Sequence, residues 1–125
     1  LKTCQVKPKA CPRCFMACGK LSEVKEGRHK GLTIEGPEYE TIWAHGADCG
    51  IDDLEAITEA NYLCNDLGLD TISTGATIAC AMELVERGLI DSDLRFGRAD
   101  LLLKTVGDIG YRRDLGDGCR WRRRA

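Results

Sequence analysis

The sequence runs to 125 residues, enough for one domain that buries its own core. With 43% hydrophobic and 30% charged residues it does not have the composition of a disordered chain, and a net charge of −2 argues against a general nucleic-acid binder. No apolar stretch is long enough to cross a bilayer, and the residues given open on no basic-then-apolar leader, so a cytoplasmic protein without membrane partners is expected.

Residues 1–20 are rich in Cys, Pro and Lys and read as a loop wrapped around a site. Eight cysteines are many for this length. In a secreted chain they would frame disulfides. Nothing here marks secretion, and clustered cysteines in a cytosolic chain point to metal. Cys11-Pro12-Arg13-Cys14-Phe15-Met16-Ala17-Cys18 spells C-x2-C-x3-C. Thiolates this close converge on one centre when the loop curls. Cubane iron–sulfur clusters take four thiolates, often a compact triplet plus a distant fourth. Zinc sites favour two pairs, so a lone triplet leans to iron–sulfur, with zinc left open. Phe15 and Met16 are expected to shield the centre from water. Cys4, Cys49 and Cys119 are the distant thiols, and none forms a motif with the triplet. Cys64 and Cys80 fall within helical patterns and are expected to be buried free thiols.

Residues 20–31 are polar and turn-prone. Leu32 and Ile34 alternate with polar neighbours as a short extended piece does, and Gly36-Pro37 is a turn signal. Glu38, Glu40, Trp43, His45 and Asp48 follow. Carboxylates beside an imidazole suit proton transfer, whereas a solvated loop with one packed Trp is the plainer reading. Three helices are predicted next. The first starts near Asp52, with capping-box-like spacing to Glu55, carries Ala56, Ala60, Leu63 and Leu67 on one face, and stops at Gly68. The second starts near Ser73 or Thr74, buries Ile78, Met82 and Val85, and ends at Gly88. The third starts near Arg98 on Ala99, Leu102, Leu103 and Val106, and Gly107 and Gly110 weaken it by about 1 kcal/mol each relative to Ala. The class is therefore mainly α. Between the first two helices lies Asn65-Asp66-Leu67-Gly68-Leu69-Asp70, a turn feeding a helix N-terminus. Such a terminus attracts anions, and Asp70 and Asn65 have the acceptors and donors to read a heterocycle edge. An ordinary capped αα-turn explains the same residues.

Taken together, CPRCFMAC, EGPEYETIWAHGADCGIDDLEAITEAN and NDLGLDTISTG resemble, in order and separation, the tungsten-containing aldehyde ferredoxin oxidoreductase family over about residues 8–117. The resemblance implies a helical domain like the family's central helical domain, preceded by a cysteine-rich loop and set beside a separate pterin-binding domain. It implies aldehyde oxidation to a carboxylic acid at tungsten (or molybdenum) held by two molybdopterins. Electrons would leave through a [4Fe–4S] cluster to ferredoxin. Residue by residue, Cys11, Cys14 and Cys18 would ligate the cluster. Asn65, Gly68, Leu69 and Asp70 would contact pterin, Glu40 would serve proton transfer near the metal, and Glu59 would bind a single iron between the subunits of a homodimer. Three departures stand out. Asn65 replaces the Asp of the D-x-x-G-L-[CD] motif. Tyr62 replaces the His of E-x-x-H. The fourth cluster cysteine of the family falls downstream.

Residues 1–117 are thus expected to form part of one cofactor-contacting helical domain. Residues 118–125, with Arg120, Arg122, Arg123 and Arg124, form a basic tail unlike the family's continuation, as truncation or a frame shift would produce. Together with Leu1 in the place of Met, this predicts a fragment of a longer enzyme, inactive alone. The alternative is a stand-alone iron–sulfur electron carrier using Cys4, or a zinc-stapled module. Neither needs the second and third segments.

Overall fold

The computed structural model describes residues 5–26 and 30–117. Cys4, Cys119 and the basic tail lie outside the described residues. A three-stranded antiparallel meander, β1 (Gln5–Lys9), β2 (Gly19–Glu23) and β3 (Thr33–Glu35), leads into four helices. These are α1 (Tyr39–His45), α2 (Leu54–Leu67), α3 (Thr71–Glu86) and α4 (Ala99–Gly110). The mainly α class holds, with the cysteine-rich loop in front of it.

The first departure from expectation is in that loop. Residues 1–20 are not all irregular, and residues 20–31 are not only turns. Lys7 pairs with Leu21, Pro8 with Lys20 and Lys9 with Gly19, so the cysteines ride on the connection of a hairpin. Pro8 is tolerated because β1 is an edge strand, where a missing N–H costs no ladder bond. The register Leu21 to Glu35 adds β3 on the other side. Asn61 of α2 then donates its amide N–H to the Glu35 carbonyl at 3.2 Å, tying the sheet to the helices. Gly36 between them has φ +100, and a Cβ there would come within 3.0 Å of the Asn61 amide, so both backbone and space call for glycine.

The second departure is α1, a seven-residue helix where a solvated loop was the plainer reading. It exists through packing rather than length, because so short a helix has little stability of its own. Ala44 lies so close to Gly75 of α3 that a Cβ on Gly75 would stand 2.7–2.8 Å from three atoms of Ala44. The Thr41 and Thr71 hydroxyls add a 2.8 Å hydrogen bond across the same seam.

Helix starts shift by one to three residues. Asp53, not Asp52, caps α2, its carboxylate accepting from the N–H groups of Glu55 (2.9 Å) and Ala56 (3.3 Å). Asp70 caps α3, accepting from the Ser73 N–H at 2.7 Å, so that helix opens at Thr71. The face of α2 that is fully covered runs through Ala56, Ile57, Ala60, Asn61 and Cys64, while Leu63 packs at its margin. Ile78, Met82 and Val85 of α3 and Leu102 and Val106 of α4 meet it as the pattern predicts, with Cys49, Ile51 and Leu94 closing the core. Cys64 is buried as expected. Cys80 is exposed, because its position on α3 points away from the seam that Ile78 and Met82 fill.

Candidate functional site

The triplet occupies the β1–β2 connection. Cys14 N–H donates to the Cys11 carbonyl at 3.0 Å, a tight turn that brings the first two cysteines round, and Arg13 and Ala17 take left-handed backbone angles (φ 62 and 45). Such angles are uncommon for residues with a side chain. All three thiols are free and exposed. They do not close on one point: among the described residues no three His, Cys, Asp or Glu side chains stand near enough to hold a metal ion. Phe15 and Met16 flank the thiols at the loop tip. They are 93% and 67% exposed, because no other part of the described chain covers the loop tip.

Cys49 drops out as a fourth ligand. It is fully buried, its Sγ donates toward the carbonyls of Ala44 (3.4 Å) and Gly75 (3.8 Å), and burial pushes the thiol up to about 12, with nearby Asp48 adding to the shift. Among the described residues it belongs to no group of side chains that could hold a metal ion.

The αα-turn builds a groove. Leu69, Asp70, Ser73, Thr74 and Thr77 face Ile109, Leu115 and Gly116 across a space of about 370 Å³. Gly68 has φ +69 and ends α2, with Leu69 N–H returning to the Cys64 carbonyl at 2.7 Å. That closure swings Leu69 inward and leaves Asp70 at the N-terminus of α3. The Ser73 hydroxyl and N–H hold the Asp70 carboxyl below the usual range. A carboxylate has about four acceptor sites, so the cap leaves capacity for a ligand N–H. Of the four turn residues singled out, Leu69 and Asp70 line the groove, whereas Asn65 and Gly68 are exposed and do not line it.

Glu40 is exposed on the first turn of α1. Glu59 lies apart from both sites. With Asp53, Glu55, Leu63 and the α4 residues Ala99 and Lys104 it lines a separate groove of about 540 Å³.

Sequence reasoning weighed His45 only as one of several polar residues and did not foresee the contact it makes. His45 is fully buried, its Nε2 3.9 Å from Sγ of Cys64, and its Nδ1 has no hydrogen-bond partner of proper geometry. Burial lowers the imidazole, and the Thr41 carbonyl one turn back offsets part of that. Burial pushes the Cys64 thiol up to about 11, against a smaller opposing effect of the Thr74 hydroxyl. Both shifts disfavour charge, so this is a neutral imidazole–thiol pair and not an activated nucleophile. The spacing of nineteen residues between two different helices left no local signal.

Comparison with known proteins places the chain in one family. The family model "Aldehyde ferredoxin oxidoreductase, domains 2 & 3" matches residues 1–120. The chain is 44% identical over 119 residues to a tungsten-containing aldehyde ferredoxin oxidoreductase of Thermococcus kodakarensis and 45% identical to that of Pyrococcus furiosus, covering 90% of this chain in each case. It is 33% identical over 104 residues to the WOR-like subunit of an aliphatic sulfonate oxidoreductase from Pyrococcus furiosus, covering 83% of this chain. The chain belongs to the aldehyde ferredoxin oxidoreductase family. It spans 19% of the length of the two aldehyde oxidoreductases and 14% of the third relative. No helix among the described residues is long and apolar enough to cross a membrane.

Proposed function

We propose that this chain is one part of a tungsten- or molybdenum-dependent aldehyde oxidoreductase, carrying three ligands of a [4Fe–4S] cluster and one of the segments that hold the pterin. One observation carries the reading: an exposed C-x2-C-x3-C loop and a groove at a capped helix N-terminus occur together in a chain that matches this family along nearly its whole length. The donor chemistry fits. Cys11, Cys14 and Cys18 are accessible thiols on one short loop, and cubane clusters take thiolates so spaced. Asp70 offers carboxylate acceptors, Leu69 an apolar wall, Gly68 a turn free of a side chain, and Asn65 an exposed amide. Asn65 keeps an acceptor but lacks the charge of the family's Asp, so its hydrogen bond is the weaker kind.

The pterin-bound metal would supply the two-electron oxidation of an aldehyde with water to a carboxylic acid, passing electrons singly through the cluster to ferredoxin. Within this chain, Glu40 would hold or move a proton beside the reacting centre. The α1–α3 seam fixes its position relative to Asp70, since Thr41 is bonded to Thr71 immediately after the Asp70 cap. Glu59 would contribute to a single-iron site at a homodimer contact. Residues 1–117 act as one body, and the remainder of the enzyme supplies the fourth thiolate and the second pterin contact in the cytoplasm.

The test is the metal content of the anaerobically purified 125-residue chain, with an aldehyde-dependent dye-reduction assay beside it. Little iron, no tungsten and no turnover are expected of the chain alone, and cluster assembly and activity are expected once it is part of the whole enzyme. Iron near four per chain that Cys4→Ser abolishes would sink this reading in favour of a stand-alone electron carrier.

A further inference from the structure

We propose that the β1–β2 hairpin is the docking surface for a small acidic electron-carrier protein. The net charge of −2 hides a division of charge along the fold. Residues 5–26 together with Lys30 hold six basic side chains (Lys7, Lys9, Arg13, Lys20, Lys25 and Lys30) against two acidic ones, Glu23 and Glu26. From residue 31 to residue 117 the balance reverses, with six basic side chains against eighteen acidic. The hairpin gathers four of the six, Lys7, Lys9, Arg13 and Lys20, into one narrow ribbon, since β1 and β2 lie side by side and Arg13 sits in the connection between them, while Lys25 and Lys30 follow β2. Of the six, only Lys20 is as much as half-buried. Lys9 is partly neutralised by its ion pair to Glu35.

The apolar groups that an encounter needs are at the same place. Val6, Phe15 and Met16 of this hairpin are exposed large hydrophobic side chains, and Phe15, at 93%, is the most exposed of those described. A basic rim around an exposed aromatic tip is the make-up of a surface that steers a partner by charge and settles it by a small apolar contact. The three exposed thiols lie in the same loop, so a partner seated there is next to the residues that, on the reading above, carry electrons out.

This inference rests on that reading and names the place where its electron acceptor binds. Oxidation of one aldehyde to the carboxylic acid, with water supplying the added oxygen, releases two electrons and two protons. Two carriers, each reduced by one electron, must therefore arrive and leave in every turnover. Electrostatic steering raises arrival rates by about 10–1000-fold without slowing departure as a large dry interface does.

The experiment compares two sets of substitutions in the enzyme that contains this chain. Lys7→Gln, Lys9→Gln and Lys20→Gln remove charge from the hairpin. Arg87→Gln, Arg112→Gln and Arg113→Gln remove the same charge from the helical body. Aldehyde oxidation is followed once with an acidic ferredoxin and once with a viologen dye. The hairpin set is expected to raise KM for ferredoxin about tenfold at low ionic strength, to flatten its dependence on salt, and to leave the dye-coupled rate unchanged, while the body set changes neither. Titration of the 125-residue chain with the same ferredoxin should show the same loss of affinity with no turnover required. An unchanged ferredoxin KM with intact dye activity overturns the docking surface alone, as does an equal effect of the body set. Loss of the dye-coupled rate in the hairpin set overturns it too, because the rest of the enzyme would then be what covers this surface. Absence of any aldehyde-dependent dye reduction by the unsubstituted enzyme removes the underlying reading, and the docking surface falls with it.

Discussion

Two glycines in helices should answer the same substitution with opposite signs. Gly75 lies on α3 against α1, and a Cβ placed there would stand 2.7 Å from the Ala44 carbonyl carbon and 2.8 Å from its oxygen and Cβ. Ordinary contact begins at 3.4 Å, so the helices must separate by several tenths of an ångström. Two of the three atoms are backbone and cannot rotate aside. Alanine gains about 1 kcal/mol of helix propensity over glycine, and overpacking of this kind costs about 1–3 kcal/mol. Gly75→Ala is therefore expected to destabilise by up to about 2 kcal/mol. Gly107 on α4 has nothing within 4 Å of the same added atom, so Gly107→Ala should stabilise by about 0.5–1 kcal/mol. Urea unfolding of both variants reads the difference, with an unchanged slope confirming that the same surface unfolds. Ala44→Gly in the Gly75→Ala background removes one of the three contacts and should restore part of the loss. If Gly75→Ala stabilises as much as Gly107→Ala, the close approach of α1 to α3 is wrong, and with it the seam that positions Glu40.

The buried imidazole and thiols predict a stability maximum between two pH limbs. His45 has its folded value lowered by burial, so below about pH 6.5 the unfolded chain takes up a proton that the folded one refuses. Stability should fall with acid by about 1.4 kcal/mol per pH unit until the folded pKa is reached, and His45→Gln should flatten that limb in pH-dependent unfolding; an unchanged limb would place the titration elsewhere. Cys49 and Cys64 have folded values raised to about 12 and about 11. Above about pH 9 the unfolded chain loses thiol protons that the folded chain keeps, so stability should fall with alkali, and Cys49→Ala with Cys64→Ala should reduce that slope by up to about 2.7 kcal/mol per unit. A slope that the double variant leaves intact would refute the assignment.

What the sequence made legible follows the range of each signal. The 3.6-residue periodicity located α2, α3 and α4, and Gly68 and Gly88 marked where two of them stop, because period and cap are local properties. Cap identity failed by one residue at Asp52, since Asp52-Asp53 offers two carboxylates and only the tertiary path of the chain decides which reaches the free N–H groups. Gly110 also carried a meaning that propensity alone misread. It sits against Leu67, whose Cδ1 would be 2.6 Å from a Cβ there, so glycine at that position makes room for α2 as well as weakening α4. The helix α1 had no periodicity to find in seven residues, and what holds it, Ala44 on Gly75 and Thr41 on Thr71, joins positions about thirty residues apart.

The candidate site was legible where its chemistry is contiguous and invisible where it is assembled. C-x2-C-x3-C and the Leu69–Asp70 turn could be picked out because each lies within eight residues or fewer. The His45–Cys64 pair could not, since neither residue has a neighbour in sequence that suggests the other. Charge followed the same rule in a less obvious way. The overall balance averages a basic hairpin with an acidic helical body, so it conceals the division of charge along the chain. Only the pairing of β1 with β2 turns a scatter of lysines over twenty residues into one ribbon, and only the exposure of Phe15 and Met16 at its tip gives that ribbon something to press against a partner. The sequence expectation had those two side chains shielding the metal centre from water. Within the described residues both stand exposed beside the thiols, so on the docking proposal the tip that flanks the cluster is also the tip that meets the carrier.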